Sequence, residues 1–147
     1  MFEVTVQTDD FDPGAELARV GQVADSGAVA SFIGHVRRGG EKVAAMTLEH
    51  YPAMTEKALA EIVAQARNRW PLDAVRVIHR VGRLLPGDRI VLVAVATRHR
   101  GEAFAACEFI MDWLKTKAPF WKKEETPEGS RWVDARESDD SAAARWG

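Results

Sequence analysis

The run from Ile90 to Ala96 carries no charged or hydroxyl-bearing side chain, and it constrains the fold more than any other stretch. It reads as a central strand buried on both faces. A strand of that kind lies between covering layers, and two segments have the pattern to provide them. Leu59, Ile62, Val63, Ala66 and Trp70 share one helical face in a long helix opened by Pro52 and stopped by Pro71. Phe104, Cys107, Met111 and Leu114 form the apolar stripe of a second long helix, from Gly101 to about Ala118, ended by Pro119.

The remaining elements are shorter. Phe2, Val4 and Val6 alternate with polar residues, as in a half-buried strand. Asp12-Pro13 supplies an N-cap and a first-turn proline for a helix to about Gln22. Ala28–Val36 and Val43–Tyr51 read as strands joined in a hairpin across the polar loop from Arg37 to Lys42. Val75, Val77, His79 and Val81 alternate with Arg76 and Arg80, which predicts a strand with one wet face. Pro86-Gly87-Asp88 marks a tight turn. Phe120–Glu125 and Ser130–Val133 pair around Pro127-Glu128-Gly129, and a charged, helical tail follows from Asp134. The mixture predicts one α+β domain over residues 1–147, with mostly antiparallel pairing and two long helices.

Charge and cysteine content narrow the function. Twenty basic residues face 22 acidic ones, a net charge of −2, so there is no global field for nucleic acid and any anion site is local. No apolar run approaches the ~18 residues of a membrane span. The first residues lack the basic and apolar regions of a signal peptide, so a cytoplasmic location is expected. The single cysteine, Cys107, excludes an intrachain disulfide and a cysteine-rich zinc site. It lies on an apolar stripe, so any sulfur this protein handles is expected to arrive on another molecule. His35, His50, His79 and His99 show no metal-ligand spacing, and neither a metal nor a cofactor is expected. His79 reads as a hydrogen-bonded structural histidine, and His50 as structural or catalytic.

Two basic clusters remain. Lys115, Lys117, Lys122 and Lys123 surround Ala118-Pro119-Phe120-Trp121, across a helix end and the following strand. One reading is a solvated patch that complements the helix dipole. The other is a working lysine whose charge is disfavoured by apolar neighbours and like charges. Arg37, Arg38, His99 and Arg100, with Arg98, form either ordinary surface charge or the donors of a phosphate site. Five tryptophans are many to bury internally, so some are expected at an interface.

Several blocks resemble those of one family, the large, catalytic subunits of molybdopterin synthase. They are Leu48-Glu49-His50-Tyr51-Pro52-Ala53-Met54-Thr55, Val77-Ile78-His79-Arg80-Val81-Gly82, Pro86-Gly87-Asp88, Lys115-Thr116-Lys117-Ala118-Pro119-Phe120-Trp121-Lys122-Lys123-Glu124 and Arg131-Trp132-Val133-Asp134-Ala135-Arg136. The resemblance runs in order from about Gly27 to Trp146. It implies an α/β hammerhead-type fold and a sulfur transferase. The family makes the dithiolene of molybdopterin from cyclic pyranopterin monophosphate. Sulfur comes from the C-terminal Gly-Gly thiocarboxylate of a small ubiquitin-like subunit, within a heterotetramer built on a homodimer of the large subunit. The resemblance assigns Lys115 and Lys122 to catalysis. It assigns Arg37, His99, Arg100 and Arg136 to the substrate's anionic group, and Phe32 and Met111 to the apolar pocket wall. A binding module using the same residues for affinity alone is the competing reading; nucleic-acid binding through the lysines and Trp121 is a third.

Overall fold

In a computed structural model of the chain, which describes residues 1–23, 26–37, 43–133 and 137–147, the apolar run becomes the inner strand β6 (Arg89–Thr97) of a four-stranded sheet. Its neighbours are β1 (Phe2–Gln7), β4 (Ala74–Arg80) and β2 (Ala28–His35), in the order β1-β4-β6-β2. β4 and β2 run antiparallel to β6, and β1 runs parallel to β4. Val91, Val93 and Val95 pack with Leu59, Ile62, Phe109 and Ile110 from the two long helices, α2 (Met54–Arg69) and α3 (Arg100–Lys117). On the opposite face, Leu92 meets Phe11, while Ala94 and Ala96 meet Val20. Val20 belongs to α1 (Pro13–Gly21), where Pro13 opens the helix and the Asp12 carboxylate accepts from the Ala15 amide at 3.2 Å.

A second sheet is antiparallel throughout. It contains β3 (Ala45–His50), β5 (Gly82–Leu84), β7 (Phe120–Thr126) and β8 (Gly129–Val133), in the order β5-β3-β7-β8. Met46, Leu48 and Leu84 on its inner face pack with Val36 and Ile90, at one end of the first sheet. The last helix, α4 (Glu137–Ala144), lies against α3. Trp146 follows it, donates to Asp112 at 2.6 Å and sets its ring edge-on to Trp70 and Phe109.

The α+β class, both long helices, the β7–β8 hairpin and the doubly covered strand agree with the sequence reading. Three expectations do not. The strands on either side of the Arg37–Lys42 loop form no hairpin, because β2 pairs with β6 and β3 with β5 and β7. β4 has no wet face: Arg76 is 7% exposed, since α1 covers it. Its guanidinium meets Glu16 at 3.2 Å and Thr5 at 2.8 Å, so the buried charge is paired and hydrogen-bonded. Phe104 is 65% exposed, because the buried face of α3 is centred on Ala103, Ala106, Phe109 and Ile110.

Candidate active site

His79, His50, Lys115 and Lys122 lie where the two sheets meet. β4 ends at His79 and Arg80, and α3 returns along the sheet to bring Lys115 to the same end. His79 points to the α3 side, sharing its face with Val77 and its pairing partner Val91. Its ring stacks on Phe120 with centroids 3.9 Å apart and planes 18° apart. Its Nδ1 lies 2.8 Å from the Arg80 carbonyl, so Nδ1 carries the proton and Nε2 keeps the lone pair. Burial pushes the His79 pKa down to about 4, and electrostatic interactions with Lys115 and His50 act in the same direction. The imidazole is therefore neutral at physiological pH.

Strand register fixes the second lysine. His50 pairs with Phe120 and Leu48 with Lys122, so His50, Phe120, Leu48 and Lys122 share the inner face of the second sheet. Lys122 is half-buried there, whereas Lys115 is exposed. Trp121 and Lys123 occupy the other face, with Trp121 set edge-on to Tyr51 at 4.6 Å. The turn between α3 and β7 is held by Thr55, fully buried, whose hydroxyl donates to the Pro119 carbonyl at 3.2 Å. Just before it, Pro52 accepts from the Met54 amide at 2.8 Å with Ala53 at φ 69°, ψ −47°, a strained three-residue turn.

The expected anion set is divided. Arg37 follows β2 at the lysine end, but His99 and Arg100 open α3 at the other. Ala28 pairs with Thr97 and His35 with Arg89, so the length of β2 separates them, roughly 25 Å at the usual strand rise. Both groups are exposed. Met111 is core, one turn before Lys115 on α3. Phe32 is 43% exposed on the edge strand, with its ring over Gly34; a side chain at Gly34 would come within 3.3 Å of that ring and 2.9 Å of Val91. Arg136, like Arg38, lies outside the described residues. Cys107 is buried against the Val93 carbonyl, and burial pushes its thiol up to about 12, which leaves it inert as a nucleophile. No group of potential metal ligands occurs among the described residues. A groove between β1 and α2, lined by Phe2, Val4, Lys57 and Arg67, contains none of the site residues. Sequence reasoning did not place His79, His50 and Thr55 together at the lysines, because their contacts with Phe120 and Pro119 cross from one segment to a distant one.

A family model described as MoaE protein matches residues 6–117. The chain belongs to the MoaE family. It is 64% identical over 148 residues to the molybdopterin synthase catalytic subunit of Ralstonia nicotianae, across 98% of this chain and 84% of that protein. It is similar to the solved molybdopterin biosynthesis MoaE protein from Burkholderia ambifaria MC40-6, with TM-score 0.86 and 60% identity over 100% of this chain and 99% of that one. The fold also matches a chain in the protein-protein complex of subunits 1 and 2 of molybdopterin-converting factor from Helicobacter pylori 26695. That match has TM-score 0.73 and 18% identity, over 90% of this chain and 91% of that one. Membership in the MoaE family makes the chain an enzyme subunit of molybdenum-cofactor biosynthesis. Among the described residues no helix is long and apolar enough to cross a membrane.

Proposed function

We propose that residues 1–147 act as one unit, the sulfur-transferring subunit of a molybdopterin synthase. It takes sulfur from the C-terminal thiocarboxylate of a small ubiquitin-like partner and adds it to cyclic pyranopterin monophosphate. The observation that carries this reading is the placement of Lys115 within electrostatic reach of His79 and of Lys122 on the sheet face that carries Phe120, at the junction of the sheets. Each transfer forms a carbon–sulfur bond on the pterin as an oxygen leaves that carbon, and water then attacks the tail's carbonyl carbon, breaking its carbon–sulfur bond and releasing the tail as a carboxylate. That carbonyl oxygen gains negative charge as the carbon is attacked. Fixed cations beside it stabilise that charge best where water is scarce. Lys115 serves as general acid/base, and the half-buried Lys122 holds substrate and stabilises the developing charge. An inert Cys107 agrees with a sulfur atom delivered by a partner. Phe32 and Met111 give the pocket its apolar side.

The substrate phosphate needs a set of donors. Arg37 supplies part at the lysine end, while His99 and Arg100 stand at the far end of β2. A homodimer that sets the α3 N-terminus of one copy beside the lysine end of the other completes the set, with Arg136 as a further contributor. Exposed Val29, Phe32 and Phe104 suit such a contact. The Helicobacter pylori complex supports an assembly with a small subunit as well. The chain is expected in the cytoplasm.

The test is reconstitution from the purified chain, a small subunit ending in a Gly-Gly thiocarboxylate, and cyclic pyranopterin monophosphate. Molybdopterin is read as its fluorescent oxidised derivative. The expected result is product with the wild type and about a thousandfold slower formation with Lys115→Ala. Binding of the thiocarboxylated partner without product from the wild type overturns the transferase reading in favour of a binding module.

A further inference from the structure

We propose that Thr55 is a positioning residue for the reaction: through its hydroxyl, α2 holds the peptide between Pro119 and Phe120 and so sets Lys115 and Lys122 relative to each other. The inference rests on the sulfur-transfer reading and deepens it. A helical threonine usually donates its hydroxyl to a carbonyl one turn back. Thr116 does so in α3, to Asp112 at 3.2 Å and Trp113 at 3.4 Å. Thr55 does not. The Tyr51 carbonyl one turn back accepts from its amide at 2.9 Å, and its hydroxyl donates at 3.2 Å to Pro119, 64 residues along the chain. The residue is fully buried, where valine would fill the same volume with no polar atom to satisfy.

The bond lands on the peptide that joins the two lysine-bearing elements. Lys115 is in the last turn of α3, Ala118 caps that helix, and β7 starts at Phe120. Proline lacks an N–H, so its carbonyl is the one backbone group by which a neighbour can hold it. The other end of the same peptide is also engaged: the Phe120 amide donates to the Ala118 carbonyl at 2.9 Å, closing a three-residue turn. Strand pairing fixes Phe120 opposite His50 and Lys122 opposite Leu48, so a rotation of this peptide moves the end of α3 against β7. Tyr51, at the other end of the Pro52-Ala53 turn, meets Trp121 edge-on at 4.6 Å. The segment from Tyr51 to Thr55 thus grips residues 119–121 at two points.

Two comparisons isolate the hydroxyl: wild type against Thr55→Val, and Thr55→Ser against Thr55→Ala. All are run in the reconstituted reaction, with turnover normalised to folded protein. In each comparison, loss of the hydroxyl is expected to lower kcat about tenfold, as for lysines displaced by a fraction of an ångström, and to leave KM for the small subunit unchanged. Thr55→Ser is expected to keep kcat within a factor of about two of the wild type. If Thr55→Val does not fold, Thr55→Ser and Thr55→Ala decide. A second readout does not need turnover. In backbone amide NMR spectra, the Lys115 and Lys122 signals are expected to move in Thr55→Val and Thr55→Ala but to hold in Thr55→Ser, while Val91, Val93 and Val95 of β6 stay in place. Equal kcat with and without the hydroxyl overturns the proposal even where stability falls, because a bond that only stabilises the fold leaves turnover per folded molecule unchanged. So does a rise in KM at constant kcat, or a spectrum in which the Lys115 and Lys122 amides do not move. If the wild type makes no product, the transfer reading fails, and the amide signals alone decide whether Thr55 sets the lysine segment.

Discussion

The two sheets of this protein bury their residues differently. The first is closed on both faces; Leu92 to Ala96 of β6 are fully buried, and even the arginine of β4 is paired. The second has one inner face, against the end of the first, and its outer face shows Trp121 at 41% and Trp132 at 57% exposure. His79 and Lys122 sit where the sheets meet, the histidine buried and the lysine half-buried, with Lys115 exposed beside them. A lysine in the core would lose its charge, and one fully in water would lose the advantage of a low-dielectric surround. At the junction, rigid strands fix the positions while access from solvent remains.

The largest expected effect breaks the second region's chemistry without touching the first region's packing. Lys115→Ala is expected to lower the rate of dithiolene formation by a factor of about 10³, combining lost proton transfer and lost charge stabilisation. The thermal midpoint is expected to stay at the wild-type value, because Lys115 is exposed and outside the core. Calorimetry beside the fluorescence assay checks both. Mixing Lys115→Ala with Arg100→Ala chains sharpens the case for a shared pocket. With random exchange of copies, about a quarter of wild-type activity returns if each site draws on both chains. A mixture no more active than its components rejects that arrangement.

Arg76→Ala inverts the pattern. It removes a buried charge from the first sheet and takes from Glu16 one of its two arginine partners, leaving Arg19 at 3.2 Å, so unfolding is expected about 2 kcal/mol more easily. The kcat of the folded fraction is expected to be unchanged, because Arg76 is on the face away from α3. Denaturant titration gives the first number, and turnover normalised to folded protein gives the second.

His79 belongs to both regions, and pH reads it. The folded pKa of about 4 lies below the ordinary 6.5, so the unfolded chain binds the proton more readily. Stability from this group is full above about pH 6.5 and is lost as pH falls toward 4, where the folded state begins to take the proton as well. The loss amounts to roughly 3 kcal/mol over that window. Urea midpoints from pH 7 to pH 4 are expected to fall less steeply in His79→Phe than in the wild type. Equal slopes in the two proteins contradict a buried neutral imidazole.

The first sheet was largely legible in the sequence, and the second much less so. Periodicity identified β6 and α2, since their patterns record burial by distant layers without needing to name them. Asp12-Pro13 and Pro127-Glu128-Gly129 marked a helix start and a hairpin by local chemistry alone. The failures share one cause. The partner of Arg76 is 60 residues away, at Glu16, and no alternation rule shows which arginine a helix will cover. The strands around Arg37–Lys42 looked like a hairpin because a short polar loop does not reveal that its ends enter different sheets. The lysine block was visible as a resemblance, but the stack of its Phe120 on His79 joins segments which only the fold brings together.

The smallest effect tests whether the edge of the site holds strain. Ala53 is the one described non-glycine residue at positive φ, in the turn between the Tyr51–Trp121 pair and Thr55. Its Cβ makes φ 69° costly, and the Pro52-to-Met54 hydrogen bond closes the turn despite that. Ala53→Gly removes the steric cost but adds freedom to the unfolded chain, and the two changes oppose each other. The expected balance is a gain of about 1 kcal/mol, because the native φ lies where glycine is at ease and alanine is not. If the strain only closes the turn, activity stays at the wild-type level and the midpoint rises. If the strain also presses Thr55 against the Pro119 carbonyl and so sets the lysine-bearing turn, the midpoint rises while kcat falls. The same variant therefore measures how tightly the open region's chemistry is tied to the backbone beneath it.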